Sequence, residues 1–161
     1  MHVQTHAATG QPAAPTARAA GAVAVLTNDR GEVLMHLRDA IKGIAWPGTW
    51  AMPAGGCEPG EAPLDTIVRE LDEEAGLVID DLEELGEIHD SWGQGRWITV
   101  YRGRYNGRPE ELRLTEGVKL QFFPASQIDT LITPPCVIEA ISRAFGETPH
   151  PEAAQSFPSG A

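Results

Sequence analysis

Cysteine is scarce in this chain of 161 residues, which carries only Cys57 and Cys136 and no Cys-x-x-Cys pair. That usage suits a reducing cytoplasm, although a chain this poor in cysteine could also function elsewhere. Long apolar runs are missing too: none approaches 18 residues, which excludes a transmembrane helix. The N-terminus, MHVQTHAATGQPAAPTARAAG, lacks a basic start followed by an apolar block and therefore does not resemble a signal peptide. We expect a cytoplasmic protein with no membrane partner.

Basic residues are few as well, with 12 Lys and Arg against 23 Asp and Glu, a net charge of −11. This balance argues against a surface that binds a nucleic-acid polymer. The acidity is local. Eleven acids and one base, Arg69, lie between Glu58 and Glu84, giving −10 there and leaving −1 for the rest of the chain.

The order of patterns along the chain predicts one α/β (α+β) domain at residues 20–146, with helices packed on a mixed sheet. Residues 1–19 are rich in Ala, Pro, Thr and Gly and are expected to form a disordered arm, and residues 147–161 a flexible tail. A loop rich in Trp, Gly and Pro precedes the first helix. The predicted strands are 22–28, 32–38, 84–91, 96–105 and 118–123, and the predicted helices are 63–75 and 135–145.

The helix predicted at 63–75 has an apolar side and an acidic side. The apolar stripe consists of Leu64, Ile67, Val68, Leu71 and Ala75. At about 100° per residue, Glu70, Glu73 and Glu74 share an arc of roughly 100° on another side, and Asp72 points elsewhere. Carboxylates placed together repel one another unless a cation neutralises them, and hard oxygen ligands select Mg²⁺, Mn²⁺ or Ca²⁺. For an isolated helix, a solvated acidic face would be the commoner explanation.

The residues upstream of this helix favour the metal-binding interpretation. Gly55 is followed by five residues and Glu61, then by seven residues and the stretch RELDEEAGL, from Arg69 to Leu77. This spacing resembles the Nudix box, GX5EX7REUXEEXGU with U a bulky apolar residue, at all nine specified positions over 23 residues. Such a match is far more specific than a lone glycine motif. The resemblance covers residues 20–146, although Ala54 stands where many members have Gly.

The resemblance implies a Nudix fold, in which helices sandwich a mixed β-sheet, and a site for Mg²⁺ or Mn²⁺ against a diphosphate. The implied metal ligands are the carbonyl of Gly55 and the carboxylates of Glu70, Glu73 and Glu74. Glu61 and Arg69 would pair across the loop–helix junction in a structural role, and Gly76 would end the helix. In MutT-like members a Glu-Gly pair in a later loop brings another carboxylate to the metals. Glu116 in LRLTEGVKL is the candidate here, as ligand or base, with an ordinary surface glutamate as the alternative.

The implied reaction is the hydrolysis of a phosphoanhydride bond in a nucleoside diphosphate linked to another group. The window DSWGQGR after the box lacks the markers of ADP-ribose and dinucleotide hydrolases, and the remaining resemblance is to MutT-like nucleoside triphosphate pyrophosphohydrolases. The pattern departs from MutT near the last helix, where an Asn that would read an oxidised purine is missing. The candidate catalytic residues are Glu70, Glu73 and Glu116, and the candidate substrate contacts are Arg38, Arg96 and Trp92.

Other interpretations stay open at this point. An ADP-ribose, nucleotide-sugar or dinucleotide pyrophosphatase would use the same box, and a non-catalytic Nudix sensor would bind its nucleotide without cleaving it. The oligomeric state, including a homodimer, is also open. His36, His89 and Cys57 show no spacing of a nucleophile with a base and are interpreted as non-catalytic. Trp46 and Trp50 are expected to anchor the loop before the box.

Overall fold

The computed structural model describes residues 19–92 and 95–146. The arm predicted at 1–19, apart from Ala19, and the tail predicted at 147–161 lie outside the described residues. Within the described ranges, no helix has the length and apolarity needed to cross a membrane. In chain order, the strands and helices are β1 (Ala19–Thr27), β2 (Glu32–Leu37), β3 (Trp50–Ala51), β4 (Ala54–Gly56), α1 (Pro63–Ala75), β5 (Glu83–His89), β6 (Trp97–Arg104), a 3₁₀ helix (Pro109–Glu111), β7 (Lys119–Pro124), a second 3₁₀ helix (Ala125–Thr130) and α2 (Pro135–Ala144).

The strands form a mixed sheet, as predicted, with the order β3–β2–β1–β6–β5. Strands β1 and β6 run parallel, whereas β1–β2, β2–β3 and β5–β6 are antiparallel. Two further strands attach to the middle of this path. Strand β4 pairs with β1 and sets Gly55 opposite Ala22, while β7 pairs with β2 and sets His36 opposite Leu120. The loop into α1 therefore leaves a strand that is paired with β1, and the segment before β7 ends at a strand that is paired with β2, the neighbour of β1.

The core lies in two layers, one on each face of the sheet. Because side chains alternate along a strand, β1 sends Val23 and Val25 to one face and Ala22, Ala24 and Leu26 to the other. Helix α2 covers the first face through Val137, Ala140 and Ile141. Helix α1 covers the second through Ile67, Leu71 and Ala75. The sandwich of helices around a mixed sheet is thus confirmed.

Helix α1 begins at Pro63 and ends before Gly76, as predicted, but its buried face is rotated relative to the predicted stripe. Gly76 adopts φ 64° and its N–H donates to the carbonyl of Asp72, which closes the last turn. Leu64 and Val68 are 45% and 46% exposed, so their assignment to the buried stripe was wrong. Thr66 and Glu74 are buried in their place. The helix packs on β1 and β4, where Glu70 lies against Gly55, while Glu73 of the acidic side stays exposed.

The loop before the box also differs from the prediction. Strands β3 and β4, of two and three residues, lie in a segment predicted as loop. Such short strands carry no alternation that sequence reading can detect, and they exist because β1 and β2 offer them partners that are distant in sequence.

Candidate active site

Gly55 forms the floor against which the first carboxylate of α1 lies. A Cβ atom built on Gly55 would collide with the carboxyl group of Glu70. Another Cβ, built on Gly21 of β1, would lie 2.8 Å from the Gly55 carbonyl oxygen. Strand β4 therefore lies close to both β1 and helix α1, and only glycine fits at positions 21 and 55. The structure brings the predicted ligands Gly55 and Glu70 into direct contact.

Arg69 ties the loop to the helix. Its Nε and Nη2 donate to the two carboxylate oxygens of Glu61 at 2.8 and 2.9 Å, and its Nη2 also reaches the Gly56 carbonyl at 3.3 Å. The predicted Glu61–Arg69 pair is present, in the bidentate geometry that a guanidinium favours. These hydrogen bonds, together with one from the Thr66 hydroxyl at 2.6 Å, lower the pKa of Glu61 to about 2. Glu61 is thus a fixed anion that orients Arg69.

The second guanidinium edge of Arg69 connects two of the predicted metal ligands. Its Nη1 donates to Glu70 at 2.8 Å and to Glu73 at 3.1 Å. The Glu73 side chain is 60% exposed, whereas Glu74 on the next position is 5% exposed. Glu70 therefore lies between the other two, with Glu73 on the solvent side and Glu74 on the buried side.

Glu74 shows the electrostatic consequence of this crowding. Burial, and then the charges of Glu70 and Glu116, raise the pKa of Glu74 to about 8, while Arg38 acts in the opposite direction. Glu74 and Glu70 also lie within hydrogen-bond reach of each other. The structure thus places Glu70 beside Glu74, and it brings Glu116, 42 residues further along the chain, near enough for its charge to act on Glu74.

The approach of Glu116 is fixed by its neighbour Thr115. The Thr115 N–H donates to the Glu74 carbonyl at 2.9 Å, and its hydroxyl donates to the Glu73 carbonyl at 2.9 Å. The last carbonyls of a helix have no partner within the helix, so this loop satisfies groups that would otherwise need water. The segment before β7 is in this way docked on the end of α1 that carries the glutamates.

These groups fit a hard divalent cation by their chemistry. Carboxylate oxygens and a backbone carbonyl are the ligands that Mg²⁺ and Mn²⁺ prefer, and a cation would relieve the repulsion that raises the pKa of Glu74. Within residues 19–92 and 95–146, however, no three carboxylate, imidazole or thiol side chains already stand in a ligating arrangement. In this structure Glu70 and Glu73 instead pair with the Arg69 guanidinium, a cation of the protein itself.

The predicted substrate contacts surround cavities next to these glutamates. Arg38 and Arg96 line one cavity of about 160 Å³ together with Gly55 and Gly56. Arg96 and Trp92 line a second, of about 400 Å³. The Arg38 Nε donates to the Ala45 carbonyl at 2.6 Å, which leaves the rest of its guanidinium at the cavity wall. A third cavity of about 210 Å³ is lined by Glu116 together with His36 and Arg38. Glu70, Glu73 and Glu74 line none of these three cavities, nor a larger one of about 740 Å³ near Thr27 and Arg104.

Asp90 is a candidate site residue that the sequence analysis did not single out. It is buried, lines the cavities of about 160 and 400 Å³ and accepts hydrogen bonds from the Trp46 indole at 3.0 Å and the Trp92 backbone at 3.2 Å. Trp46 itself has φ 51°, a left-handed conformation that a bulky residue adopts only when its surroundings impose it. The Trp46 anchor predicted for the loop is therefore supported, and its partner is Asp90. The available signal in the sequence was an acid, Asp90, at the end of a predicted strand and two residues before Trp92.

A comparison with protein families agrees with this geometry. The model of the NUDIX domain matches residues 17–139 of the chain. The chain belongs to the Nudix family. Two solved structures share the fold of this Nudix protein: a MutT protein from Methanosarcina mazei Go1 (TM-score 0.64, 18% identity, 78% of this chain and 91% of that chain) and the NUDIX domain of Shewanella oneidensis NrtR complexed with ADP ribose (TM-score 0.62, 19% identity, 86% and 94%).

Curated relatives match over shorter segments. The RNA pyrophosphohydrolase of Pseudomonas putida (strain GB-1) is 48% identical over 61 residues, which are 38% of this chain and 35% of that enzyme. A fusion protein from Bifidobacterium longum, named as a nucleoside triphosphate pyrophosphatase/Nudix hydrolase, is 27% identical over 108 residues, which are 59% of this chain and 22% of that protein. The Nudix chain thus spans about a third or less of the length of these relatives.

Proposed function

We propose that this Nudix protein hydrolyses nucleoside triphosphates to a nucleoside monophosphate and pyrophosphate. The observation that carries the proposal is the contact of Glu70 with Gly55, which lines a cavity together with Arg38 and Arg96, while Glu74 lies within hydrogen-bond reach of Glu70. Carboxylates behind Gly55 and arginines at the cavity suit a polyphosphate that the carboxylates would hold through cations and the arginines would bind directly.

The residues divide the chemistry between them. A bound divalent cation supplies charge neutralisation of the phosphates and Lewis acidity toward the attacking water. Glu70 and Glu74, with the Gly55 carbonyl, would hold that cation, and Glu73 would join them by leaving Arg69. Glu116 accepts the proton of the water that attacks phosphorus, the anhydride P–O bond breaks, and pyrophosphate leaves with the bonding electrons. Arg38 and Arg96 bind phosphate oxygens, and Trp92 at the mouth stacks on the base.

The test is a hydrolysis screen with Mg²⁺ that measures both pyrophosphate and monophosphate. Substrates are the eight common nucleoside and deoxynucleoside triphosphates, ADP-ribose, nucleotide sugars, dinucleoside polyphosphates and a short RNA with a 5′-triphosphate. We expect the highest kcat/KM on a nucleoside triphosphate, pyrophosphate as a product, and loss of turnover in EDTA. The Glu70→Gln variant controls for contaminating phosphatases. Faster hydrolysis of ADP-ribose or of a dinucleotide would replace the proposed substrate class.

Two observations favour other candidates and define further outcomes. The match to an RNA pyrophosphohydrolase makes a 5′-triphosphate RNA the first alternative. A net charge of −11 weighs against it, because the repulsion grows with the length of the polyanion. The fold shared with a domain complexed with ADP ribose makes a non-catalytic binding module the second. Saturable nucleotide binding without turnover of any substrate would support that module and contradict the enzyme.

A further inference from the structure

His36 occupies an unusual position for a histidine. It lies on β2 between apolar neighbours, is 1% exposed, and faces the segment that carries Glu116. Its Nδ1 is buried and, among the described residues, has no hydrogen-bond partner. A buried polar atom without a partner costs free energy, so an apolar side chain would suit this strand position better if packing were the only requirement.

The other ring nitrogen of His36 makes one specific contact. Its Nε2 lies 2.9 Å from the backbone carbonyl oxygen of Glu116. A carbonyl oxygen only accepts, so Nε2 carries the hydrogen and donates it. The imidazole N–H therefore points at the peptide of Glu116.

Gly117 lets this contact form. It has φ +82°, and a Cβ atom there would collide with the His36 Nε2. The backbone of the turn therefore rests directly on the imidazole ring. Two further contacts hold this turn: the Gly117 N–H donates to Asp39 at 3.0 Å and the Val118 N–H donates to the Leu37 carbonyl at 2.8 Å. The Gly117 N–H belongs to the same peptide group as the Glu116 carbonyl, so Asp39 and His36 hold that peptide from its two sides, and His36 makes the contact at its oxygen.

We propose that His36 is a positioning residue, which orients the Glu116 carboxylate toward Glu70 and Glu74 by fixing the Glu116 peptide. The inference rests on the proposed function in one respect: Glu116 must contribute to cation binding or to proton transfer. Thr115 fixes the same turn from the side of α1, so the carboxylate between these two attachments has little freedom to turn away. Replacing a residue that orients a metal ligand in this way commonly lowers metal affinity or activity about 10-fold to 100-fold.

The experiment combines variants of His36 with a variant of Glu116. His36→Leu removes the donor at similar volume, and His36→Gln keeps a side-chain N–H of similar reach. Each is made alone and together with Glu116→Gln, and Mn²⁺ affinity by electron paramagnetic resonance is measured beside kcat and KM. His89→Leu is the matched control, because its Nε2 contacts the Gly95 carbonyl at 3.2 Å in a loop away from the glutamates. Circular dichroism shows which variants fold. If His36→Leu does not fold, His36→Asn takes its place, because the shorter Asn amide does not reach the Glu116 carbonyl.

We expect His36→Leu to lower Mn²⁺ affinity and kcat about 10-fold to 100-fold with KM little changed, and His36→Gln to restore most of the loss. In the Glu116→Gln background His36→Leu should cause no further loss, because the residue it orients is already disabled. Additive losses, equal effects of His36→Leu and His89→Leu, or a silent Glu116→Gln would each overturn the inference. If no nucleotide is hydrolysed, the proposed function fails, and Mn²⁺ affinity alone still decides the role of His36.

Discussion

At the scale of single residues, Glu74 shows how the needs of a site oppose those of folding. It is a carboxylate at a position of α1 that faces the core, where an apolar residue would stabilise the helix packing. Burial and two neighbouring acids raise the pKa of Glu74 to about 8, so the fold keeps a group that is easier to bury when protonated. A cation at the site would reverse this preference. Replacing Glu74 should therefore affect stability and activity in opposite directions.

The first prediction concerns that opposition. Glu74→Gln keeps the size of the side chain and removes the charge, so in EDTA at pH 8 the melting temperature should rise. With Mg²⁺ and a nucleoside triphosphate, kcat should fall by about 10²-fold or more, the usual scale for losing metal and electrostatic stabilisation. Asp72→Asn, the same exchange at an exposed position two residues earlier, is the control and should change neither value. A Glu74→Gln variant with full activity would remove Glu74 from the metal site.

The second prediction is the pH dependence that the same residue causes. Between its ordinary pKa of 4.5 and its folded pKa of about 8, Glu74 binds more protons in the native state than in the unfolded state. Its contribution to stability is therefore fully present below about pH 4.5 and is lost as the pH rises through about 8. At about 1.4 kcal/mol per pKa unit, the loss is on the order of a few kcal/mol.

Urea unfolding of metal-free protein between pH 5 and pH 8 tests this sign. The free energy of unfolding of the wild type should decline relative to that of Glu74→Gln as the pH rises, because glutamine does not titrate. A difference that stays constant over this range would mean that Glu74 ionises normally in the folded protein.

At the scale of elements, the hydrogen bonds of Arg69 connect the loop after β4 to helix α1. The guanidinium reaches Glu61 and Gly56 in the loop and Glu70 and Glu73 on the helix. Thr66 adds a hydroxyl contact to Glu61 from the first turn of α1, whose N-cap residue Ala62 supplies no side-chain hydrogen bond. These side-chain contacts tie the loop to α1 and help to set the angle at which α1 presents its glutamates.

The third prediction tests this fastening with Arg69→Lys. An ammonium group keeps the charge but cannot reach several carboxylates with a planar fork, so the melting temperature should fall and kcat should fall about 10-fold to 100-fold. Arg108→Lys is the control, since Arg108 pairs with Glu110 and Glu111 at the exposed surface and should tolerate the change. Equal effects of the two substitutions would show that Arg69 is only another surface charge.

At the scale of the whole molecule, the uneven distribution of charge defines what the fold must accommodate. Almost the entire net charge of −11 comes from residues 58–84, and the fold adds Glu116 to that region from elsewhere in the chain. Self-repulsion of this kind lowers the stability of a compact state unless cations bind to it. On the proposed function anionic substrates approach this region as well, so a divalent cation should serve both the stability and the chemistry.

The fourth prediction is that Mg²⁺ or Mn²⁺ raises the melting temperature by mass action. At 100 times the dissociation constant the gain is about 2.7 kcal/mol, which corresponds to roughly 5 to 10 °C for a chain of this size. Thermal denaturation in EDTA, with K⁺ at equal ionic strength as the control, separates specific binding from charge screening. If K⁺ stabilises the protein as much as Mg²⁺ does, the acidic region is a solvated surface and holds no specific site.

The sequence by itself determined the elements with strong local signals. The box from Gly55 to Leu77, the limits of α1 at Pro63 and Gly76, and the long strands β1, β2 and β6 follow from spacing, turn residues and alternation. Each depends on interactions between residues close in the chain, which a local pattern records. The family follows for the same reason, because its motif lies within one loop and one helix.

Only the tertiary structure decided which side of α1 is buried and which residues complete the site. The stripe with Leu64 and Val68 was a reasonable prediction for an isolated helix. In the fold, however, Glu70 lies against Gly55 of β4 and Glu74 is buried, while Leu64 and Val68 are exposed to solvent. Asp90 and the contact of His36 with Glu116 depend on strand pairings and loops far apart in sequence. Such contacts leave no periodic trace, since their geometry is fixed by packing and backbone hydrogen bonds that form only when the sheet assembles.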